Sequence, residues 1–216
     1  NFTTGDAAGQ NMVGKATFVA CEWIMKTYPG IQRYMLSGAM DTDKKHSQIN
    51  TLHSRGKRVV AEVVIPNALL EKVMGVSAEV LFKSRQITQV GSFMAGSSST
   101  GAHAANGIAA VFIATGQDAA NVAESSSSIV YADINAEGDY YLSITLPSLI
   151  VATYGGGTGL PTQQECFNML DCNGAGKVNK LAEIIGATVL AGEVSLMSAV
   201  VAGDWVTSHD ALGRNR

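Results

Sequence analysis

The chain has few prolines and few charged side chains. Only four of its 216 residues are proline and 15% are charged, whereas 46% are hydrophobic. Disordered chains have the opposite composition, with little apolar content and a high net charge. A chain of this length can build one substantial core or two modest domains. These shortages exclude a disordered protein, and the sequence predicts a compact soluble one.

Long runs of one charge and long uncharged apolar runs are also missing. The 15 basic and 18 acidic residues give a net charge of -3 and are dispersed along the chain, so it has no basic patch of the kind that binds nucleic acid. Apolar stretches are interrupted by Gly, Ser, Thr and Asn, and the N-terminus has no signal-peptide pattern. We therefore expect no nucleic-acid partner, no membrane segment in this chain and a cytoplasmic location.

Cysteine is scarce. Cys21, Cys166 and Cys172 are an odd number, at spacings that match no metal-binding or redox motif. This usage is typical of free thiols in a reducing compartment. His46 and His53 have no neighbouring cluster that would complete a metal site. The sequence therefore predicts no bound metal.

Hydrophobic periodicity predicts several elements in the first third of the chain. Apolar residues recur at three-to-four spacing over Gly9–Tyr28, and Pro29 follows, so this segment is predicted to be an amphipathic helix. A short strand is predicted over Arg33–Leu36, and a polar, charged loop over Ser37–Gln48. The β-branched run Val59–Ile65 predicts a further strand.

The rest of the chain mixes helical and strand patterns. The Ala-rich segment 101–123 is apolar nearly all round, so a helix there would be buried. Two short strands separated by a polar turn indicate a hairpin. The other predicted elements are a helix over Asn67–Met74, the hairpin strands Tyr131–Asp133 and Tyr140–Leu146, a helix over Pro161–Leu170 and a last long helix over Lys177–Val201.

One carboxylate stands alone in the least charged part of the chain. Between Arg85 and Glu124 the only formally charged side chain is Asp118. An unpaired buried charge is too costly to keep, so Asp118 needs a cation or several hydrogen-bond donors. The charged loop Asp41–Lys45 has two interpretations. It is either a solvated turn with weak surface ion pairs, or one of its lysines reaches Asp118 and becomes a charged donor that could polarise a carbonyl.

Three other segments also have two interpretations each. Residues 5–11 either cap the helix that follows them or offer backbone donors to a nucleotide, although their spacing does not fit G-x-G-x-x-G. Residues 155–159 are either a tight turn or a place where a cofactor approaches the backbone, and they lack the ending of a P-loop. His209 is either merely exposed or a proton donor on a mobile tail. The residues alone leave these alternatives open.

Several short motifs occur in a specific order along the chain. They are Thr4-Gly5-Asp6-Ala7-Ala8-Gly9-Gln10-Asn11-Met12, Leu36-Ser37-Gly38 leading to Asp43-Lys44-Lys45, Met94-Ala95-Gly96, His103-Ala104-Ala105-Asn106, Gly116-Gln117-Asp118-Ala119-Ala120, Gly155-Gly156-Gly157-Thr158 and Ser208-His209. In this order and at this spacing they resemble 3-hydroxy-3-methylglutaryl-CoA (HMG-CoA) reductases over nearly the whole chain. The position of the Asp-Lys-Lys loop, well before the Gly-Gln-Asp segment, looks like the class I form of that family.

The resemblance implies a two-step, four-electron reduction of HMG-CoA to mevalonate and free CoA with NADPH, NADH not being excluded. It implies an α+β fold in which a small ferredoxin-like cofactor domain is inserted in a large domain built around a long buried central helix. Residues 1–35 would be the C-terminal part of the small domain, and residues 36–216 the large substrate-binding and catalytic domain. The active site would form at the interface of a homodimer or higher homo-oligomer, in the cytoplasm or on a cytosol-facing catalytic domain.

The resemblance also carries roles onto individual positions. Lys44 would stabilise and protonate the carbonyl oxygen, Asp118 would hold that lysine, and His209 would protonate the departing CoA thiolate. The implied substrate-binding positions are Ser37, Asp43, Lys45 and Asn106. The implied cofactor-binding positions are Asp6, Ala7, Ala8, Gly9, Gln10, Asn11, Gly155, Gly156 and Gly157.

Some positions depart from the family pattern. The catalytic glutamate of the family lies upstream of the cofactor motif, so we expect this chain to be a fragment whose site is completed by an upstream segment. Lys83 or Arg85 would have to replace the lysine that binds the substrate carboxylate in eukaryotic members. These departures keep a second hypothesis open, a non-catalytic homologue or assembly subunit in which Lys44 and Asp118 form a structural pair.

Overall fold

A computed structural model describes residues 2–213 of the chain. Its helices are α1 (Gln10–Thr27), α2 (Gln48–Leu52), α3 (Asn67–Met74), α4 (Ala78–Met94), α5 (Ala104–Thr115), α6 (Val122–Ser125), α7 (Pro161–Met169), α8 (Val178–Ala202) and α9 (Asp204–Ala211). Its strands are β1 (Lys57–Ile65), β2 (Ile129–Ile134) and β3 (Tyr140–Leu149), and short 3₁₀ turns cover Ala119–Asn121 and Gly156–Gly159. This mixture of helices with an antiparallel sheet confirms the α+β class.

The strand β3 is the centre of a three-stranded antiparallel sheet with the order β1-β3-β2. Tyr141 pairs with Val64 on one side and with Asp133 on the other. Along β2, Val130 and Ala132 are buried and their neighbours are exposed, because successive side chains of a strand point to opposite faces. One face of the sheet is therefore available to the core.

The predicted hairpin between β2 and β3 is confirmed, and its turn has a local cause. Asn135 Oδ1 accepts hydrogen bonds from the backbone N–H of Glu137 at 3.1 Å and of Asp139 at 2.8 Å. Gly138 adopts a φ of 84°, which glycine tolerates without a steric penalty. Asparagine and glycine thus close this turn by their own chemistry.

The long helix α8 lies at the centre of the fold and packs against β1, β3 and α5. Its buried side chains extend from Val178 to Ser198. Gly186 allows the close approach to the sheet, since a Cβ there would lie 2.7 Å from Val59 Cγ1. The predicted long helix over residues 177–201 is confirmed.

By length and composition alone, α8 is also apolar enough to cross a membrane. One such helix is weak evidence, because the core helix of a globular domain passes the same test. Ten of its residues, Val178, Leu181, Ala182, Ile185, Gly186, Val189, Leu190, Glu193, Val194 and Ser198, are buried within this fold. The core therefore accounts for part of its apolar character, since 39% of its most apolar window is buried.

Several predictions from the sequence were wrong in their details. Arg33–Leu36 forms no strand, and nothing in the part of the chain that the structure describes pairs with it. The Ala-rich helix is much shorter than 101–123, because Gly116 takes a left-handed φ of 67° and ends it. This helix is not buried all round either, since Ile113 is 70% exposed. His209 lies in α9, a short helix that follows α8, and the mobility of this segment stays a prediction.

Helix α1 agrees with its prediction but packs differently from the other long helices. Within residues 2–213 it contributes no buried side chain. Its N-terminal end is joined to the rest of the fold by polar contacts of Gln10 and of the preceding Asp6. Cys21 on this helix is a free thiol, and so are Cys166 and Cys172, as predicted.

Candidate functional site

The loop that carries Lys44 has an unusual backbone. Thr42 and Lys44 both adopt the left-handed conformation, with φ of 58° and 59°. For a residue with a side chain this conformation costs on the order of 1–3 kcal/mol and persists only where surrounding contacts impose it. Two such contacts are present: Thr42 Oγ1 donates to Asn50 Oδ1 at 2.9 Å, and the Lys44 backbone N–H donates to Glu124 Oε1 at 3.2 Å.

Glu124 is the buried anchor of this loop, with a fully inaccessible side chain. Arg55 Nη1 donates to both of its carboxylate oxygens, at 2.5 and 2.6 Å, and Asn50 Nδ2 lies 3.5 Å from Oε2. Arg55 Nη2 also contacts Asp43 Oδ1 at 2.9 Å. Burial acts to lower the pKa of Arg55, but its hydrogen bonds and ion pairs with Glu124 and Asp43 outweigh burial and raise that pKa. The buried carboxylate is thus paired with a permanent cation.

Lys44 and Asp118 form the ion pair that the sequence suggested. Lys44 Nζ lies 3.4 Å from Asp118 Oδ2, and Asp118 Oδ1 accepts the backbone N–H of Ala120 at 3.0 Å. The expected burial of Asp118 is wrong, because α5 ends at Gly116 and Asp118 follows in a surface turn. The two side chains are 49% and 41% exposed, so the pair contributes little to stability. It does orient the ammonium group of Lys44.

Polar side chains next to Lys44 make contacts within the same loop and with α1. Gln10 Nε2 donates to Asp43 Oδ1 at 3.0 Å and to Asn121 Oδ1 at 3.2 Å. Lys45 Nζ donates to the Asp43 carbonyl at 2.9 Å. The Ser37 hydroxyl donates to Asp41, which is the main reason that the pKa of Asp41 is lowered. The start of α1 is therefore joined directly to the Lys44 loop.

A cleft of about 650 Å³ opens beside the Lys44–Asp118 pair. Its volume lies in the range of small-molecule sites, roughly 300–1,000 Å³. Three segments that are distant in sequence line it: the start of α1, the turn after α5 and the glycine-rich loop after β3. The lining residues that sequence analysis had named are Ala7, Ala8, Gly9, Gln10, Asn11, Asp118, Gly155, Gly156 and Gly157.

Glycines and one amide shape this cleft. A Cβ at Gly116 would lie 2.3 Å from the carbonyl oxygen of Gly157, so two loops touch backbone to backbone here. At Gly155 and Gly156 no atom lies within 4 Å of a would-be Cβ, which leaves the backbone open to a ligand. Gln117 fixes the wall, because its amide donates to Ala152 O at 2.9 Å and accepts from Ala152 N at 2.8 Å.

Asp6 is not among the residues that line the cleft. Its Oδ2 accepts the backbone N–H of Gly176 at 2.7 Å, and its Oδ1 accepts the N–H of Val178 at 3.2 Å. Its backbone carbonyl accepts the N–H of Thr153 at 2.8 Å. The Asp6 carboxylate thus caps the start of α8, and the hydrogen bond from Gly176 is the first reason that its pKa is lowered. Asp6 joins the cofactor-like motif to the central helix.

The lowered pKa of Asp6 predicts a pH-dependent contribution to stability. A carboxyl group with a lower pKa in the folded than in the unfolded state stabilises the fold above its unfolded pKa, and that contribution is lost as pH falls through the folded pKa. We expect Asp6→Asn to lower the melting temperature at neutral pH, and the difference from wild type to shrink as pH falls below the ordinary value of 3.8. Thermal melts across the acid range would test this. A difference that stays constant down to strong acid would contradict it.

The chain is similar in sequence to proteins of one known family. A family model described as hydroxymethylglutaryl-coenzyme A reductase matches residues 1–214. The chain belongs to this reductase family. The 3-hydroxy-3-methylglutaryl-coenzyme A reductase of Aeropyrum pernix is 46% identical, over 99% of this chain and 52% of its own length. The reductase of the same description from Methanothermobacter thermautotrophicus is 42% identical over 99% of this chain and 53% of its own length.

A relative from Blattella germanica with the same description is 44% identical over 96% of this chain but only 25% of its own length. The chain therefore spans about half the length of the archaeal reductases it matches and less of the insect one. Among solved structures, a class II 3-hydroxy-3-methylglutaryl-CoA reductase from Streptococcus pneumoniae bound to NADPH has a TM-score of 0.64. It is 22% identical and covers 92% of this chain and 53% of its own. This last likeness shows that the fold is that of the reductase family.

The reductase motifs do not all converge in this chain. Asn106 lies in the first turn of α5, where its backbone N–H donates to His103 O. His209 on α9 has Nδ1 2.5 Å from Trp205 O and its ring against the Trp205 indole. Within residues 2–213, no hydrogen bond or ion pair joins either residue to Lys44. The structure thus joins Lys44 to Asp118 at the cleft by a direct contact, and among the described residues Asn106 and His209 have no such contact with either.

The two cations suggested as substitutes for the reductase's substrate-binding lysine have other partners. Lys83 forms an exposed ion pair with Glu79 at 2.8 Å on α4. Arg85 is buried, its pKa is lowered by burial, and its Nη2 donates to Thr100 O. Arg85 therefore has a structural contact in this fold, whereas the exposed pair of Lys83 with Glu79 contributes little to it.

Sequence reasoning missed the residues that support the Lys44 loop. Arg55, Glu124 and Asn50 form a polar cluster beneath it. Arg55 and Asn50 had no pattern that distinguishes them from surface residues. Glu124 does have a signal in the sequence, because it is the charged residue that ends the nearly uncharged stretch containing Asp118.

Proposed function

We propose that the protein containing this chain reduces HMG-CoA to mevalonate and free CoA with NADPH. The observation that carries this proposal is the Lys44–Asp118 ion pair at the edge of the cleft, because Asp118 also lines that cleft. Membership of the reductase family supports the same reaction, and the NADPH bound to the Streptococcus pneumoniae enzyme supports a nicotinamide cofactor.

The size and the chemistry of the cleft both fit one half of a dinucleotide cofactor. Gly155 and Gly156 expose their backbone, and the first residues of α1 line the same cleft, so backbone donors are available there. We assign cofactor contacts to Ala7, Ala8, Gly9, Gln10 and Asn11 and to the three glycines 155–157. Asp6 holds this segment from behind through the cap on α8. The chemistry that a bound nicotinamide supplies is hydride.

Lys44 is the group that stabilises the negative charge that develops on the substrate oxygen. As a thioester or aldehyde carbonyl is reduced, its oxygen develops negative charge, and a fixed ammonium donor beside it stabilises that charge and supplies a proton. Asp118 keeps the ammonium in place, because its Oδ2 lies 3.4 Å from Lys44 Nζ and the two groups carry opposite charges. The pair therefore acts as an oriented acid. Ser37, Asp43, Lys45 and Asn106 are proposed to bind the hydroxymethylglutaryl group.

His209 is proposed to protonate the CoA thiolate as it leaves. Its Nδ1 faces a carbonyl oxygen, which only accepts hydrogen bonds, so Nδ1 carries a hydrogen and Nε2 is the nitrogen that exchanges a proton. Within residues 2–213 no hydrogen bond or ion pair joins His209 to Lys44. We propose that a homodimer or higher homo-oligomer, with its site at the interface, brings the complete set of catalytic groups together.

The division of the chain into domains is part of the same proposal. Residues 1–35 are assigned to the small ferredoxin-like cofactor domain, and residues 36–216 to the large substrate-binding and catalytic domain around α8. The absence of buried residues from the described part of α1 supports its belonging to a different unit from α8.

We further propose the class I form, a cytoplasmic location, no membrane segment in this chain, and no metal or nucleic acid. The family's upstream glutamate is proposed to complete the catalytic set.

An NADPH oxidation assay tests the reaction. With the complete gene product we expect loss of NADPH absorbance only when HMG-CoA is added, and the appearance of free thiol together with mevalonate. Acetyl-CoA, a thioester without the hydroxymethylglutaryl group, is the matched control and should give no oxidation. A folded protein that binds neither NADPH nor HMG-CoA would instead support the non-catalytic homologue or assembly subunit.

A further inference from the structure

The backbone of Lys44 is held by a group outside the proposed catalytic set. Its left-handed conformation is one that non-glycine residues adopt only when neighbouring contacts impose it. Thr42 shares this conformation and is tied to Asn50. The Lys44 N–H itself donates to Glu124 Oε1 at 3.2 Å. The direction of the lysine side chain therefore depends on a contact made 80 positions away in sequence.

Glu124 is suited to this task because it is rigid and charged. Its side chain is fully inaccessible, and Arg55 holds both of its oxygens. A charged acceptor makes a stronger hydrogen bond to a backbone N–H than a neutral one does. The same Arg55 reaches Asp43, the residue directly before Lys44. The loop is thus fixed at two adjacent positions from a single ion pair, whose carboxylate is buried and whose guanidinium is partly exposed.

We propose that Glu124, braced by Arg55, is the positioning residue that sets the direction of the Lys44 ammonium toward Asp118. This inference rests on the proposed function, since it assigns the support of the same catalytic lysine. The Glu124 side chain is fully inaccessible, whereas that of Lys44 is half exposed. Glu124 therefore acts through the loop backbone and not on substrate.

Glu124→Gln is the first test, because it keeps the size of the side chain and removes the charge that holds Arg55. We expect kcat of NADPH oxidation to fall roughly 10- to 100-fold, the loss that a misplaced reacting group produces, with a much smaller change in the KM of HMG-CoA. In a Lys44→Ala background the same substitution should lower the residual kcat by less than about twofold, because coupled residues are not additive. An equal, additive loss in both backgrounds would overturn the proposal.

Glu193→Gln is the matched control. Glu193 is a second buried carboxylate that accepts a backbone N–H, that of His103 at 2.6 Å, and no hydrogen bond or ion pair among residues 2–213 joins it to the Lys44 loop. We expect Glu193→Gln to lower the melting temperature, and any loss of kcat that it causes through His103 and the first turn of α5 should be the same in the Lys44→Ala background. If Glu193→Gln also lowers kcat and loses its effect when Lys44 is absent, the role is not specific to Glu124 and the proposal fails.

Amide hydrogen exchange gives a readout that does not depend on activity. The Lys44 N–H should exchange slowly in wild type and faster in Glu124→Gln, while the amides of the core strand β3 keep their protection. Should Glu124→Gln not fold, Glu124→Asp keeps the charge for Arg55 but withdraws the oxygen from Lys44, and the same exchange difference is expected. Unchanged exchange at Lys44 in the folded variant would overturn the positioning role. An inactive wild-type protein with this exchange pattern would refute the proposed function alone.

Discussion

Replacing Lys44 with alanine is expected to lower kcat for NADPH oxidation by about 100- to 1,000-fold, which corresponds to about 2.7–4 kcal/mol of lost transition-state stabilisation. The methyl group of alanine leaves the developing charge on the substrate oxygen without a donor. Stability should change by less than about 1 kcal/mol, because the Lys44–Asp118 pair is half exposed. Steady-state kinetics together with thermal melts of the complete gene product would measure both quantities.

Lys83→Ala is the matched control for this variant. Lys83 also forms an exposed ion pair, with Glu79 at 2.8 Å, but α4 carries it away from the cleft. It should therefore keep wild-type kcat. Full activity of Lys44→Ala would remove Lys44 from the mechanism, and a parallel loss in Lys83→Ala would show that general charge and not position is responsible.

Replacing Gly116 with alanine should both destabilise the fold and weaken NADPH binding. Gly116 has a φ of 67°, and a Cβ there would lie 2.3 Å from the carbonyl oxygen of Gly157. The left-handed conformation costs alanine about 1–3 kcal/mol, and displacing a packed neighbour adds about 1–3 kcal/mol. Because Gly157 lines the cleft, its displacement also alters the cofactor wall. Denaturant unfolding and a titration with NADPH would measure the two effects.

Gly75→Ala isolates the effect of the contact from that of the conformation. Gly75 ends α3 with a φ of 69°, close to that of Gly116, but no atom lies within 4 Å of a Cβ placed on it. The variant should lose stability only through its backbone conformation and should bind NADPH as wild type does. Equal destabilisation by the two substitutions would mean that the Gly116–Gly157 contact has no energetic weight.

Local patterns in the sequence were sufficient for elements whose signals lie within the element. The helix over Asn67–Met74 is bounded by Pro66 and Gly75, and the observed bounds agree with the prediction. Arg33–Leu36 has the composition of a strand, yet it forms no strand. A strand also needs a pairing partner, and the sequence pattern does not specify one. Helix α4 was missed because its apolar residues do not form a clear stripe and several, such as Phe93, remain exposed.

In the candidate site, too, some contacts could be predicted from the sequence and others could not. The contact between Lys44 and Asp118 could be anticipated because the family resemblance named both residues, whereas the argument that a buried carboxylate needs a cation does not apply to the exposed Asp118. The polar cluster of Arg55, Asn50 and Glu124 could not be anticipated, because its members are up to 74 positions apart and carry no common motif. The cap that Asp6 provides for α8 was also hidden, since a helix cap is ordinarily sought next to the helix.

The Asp6 cap bears on the order in which the molecule folds. Asp6 and Val178 are 172 positions apart, so this hydrogen bond closes a loop of most of the chain. Contacts of such long sequence separation carry a high entropic cost and form late in folding. During synthesis, the hydrogen bonds from Gly176 and Val178 to the Asp6 carboxylate can form only after these residues have left the ribosome. A chain truncated before Gly176 would lack both of these hydrogen bonds, even though every residue predicted to contact the cofactor had already been made.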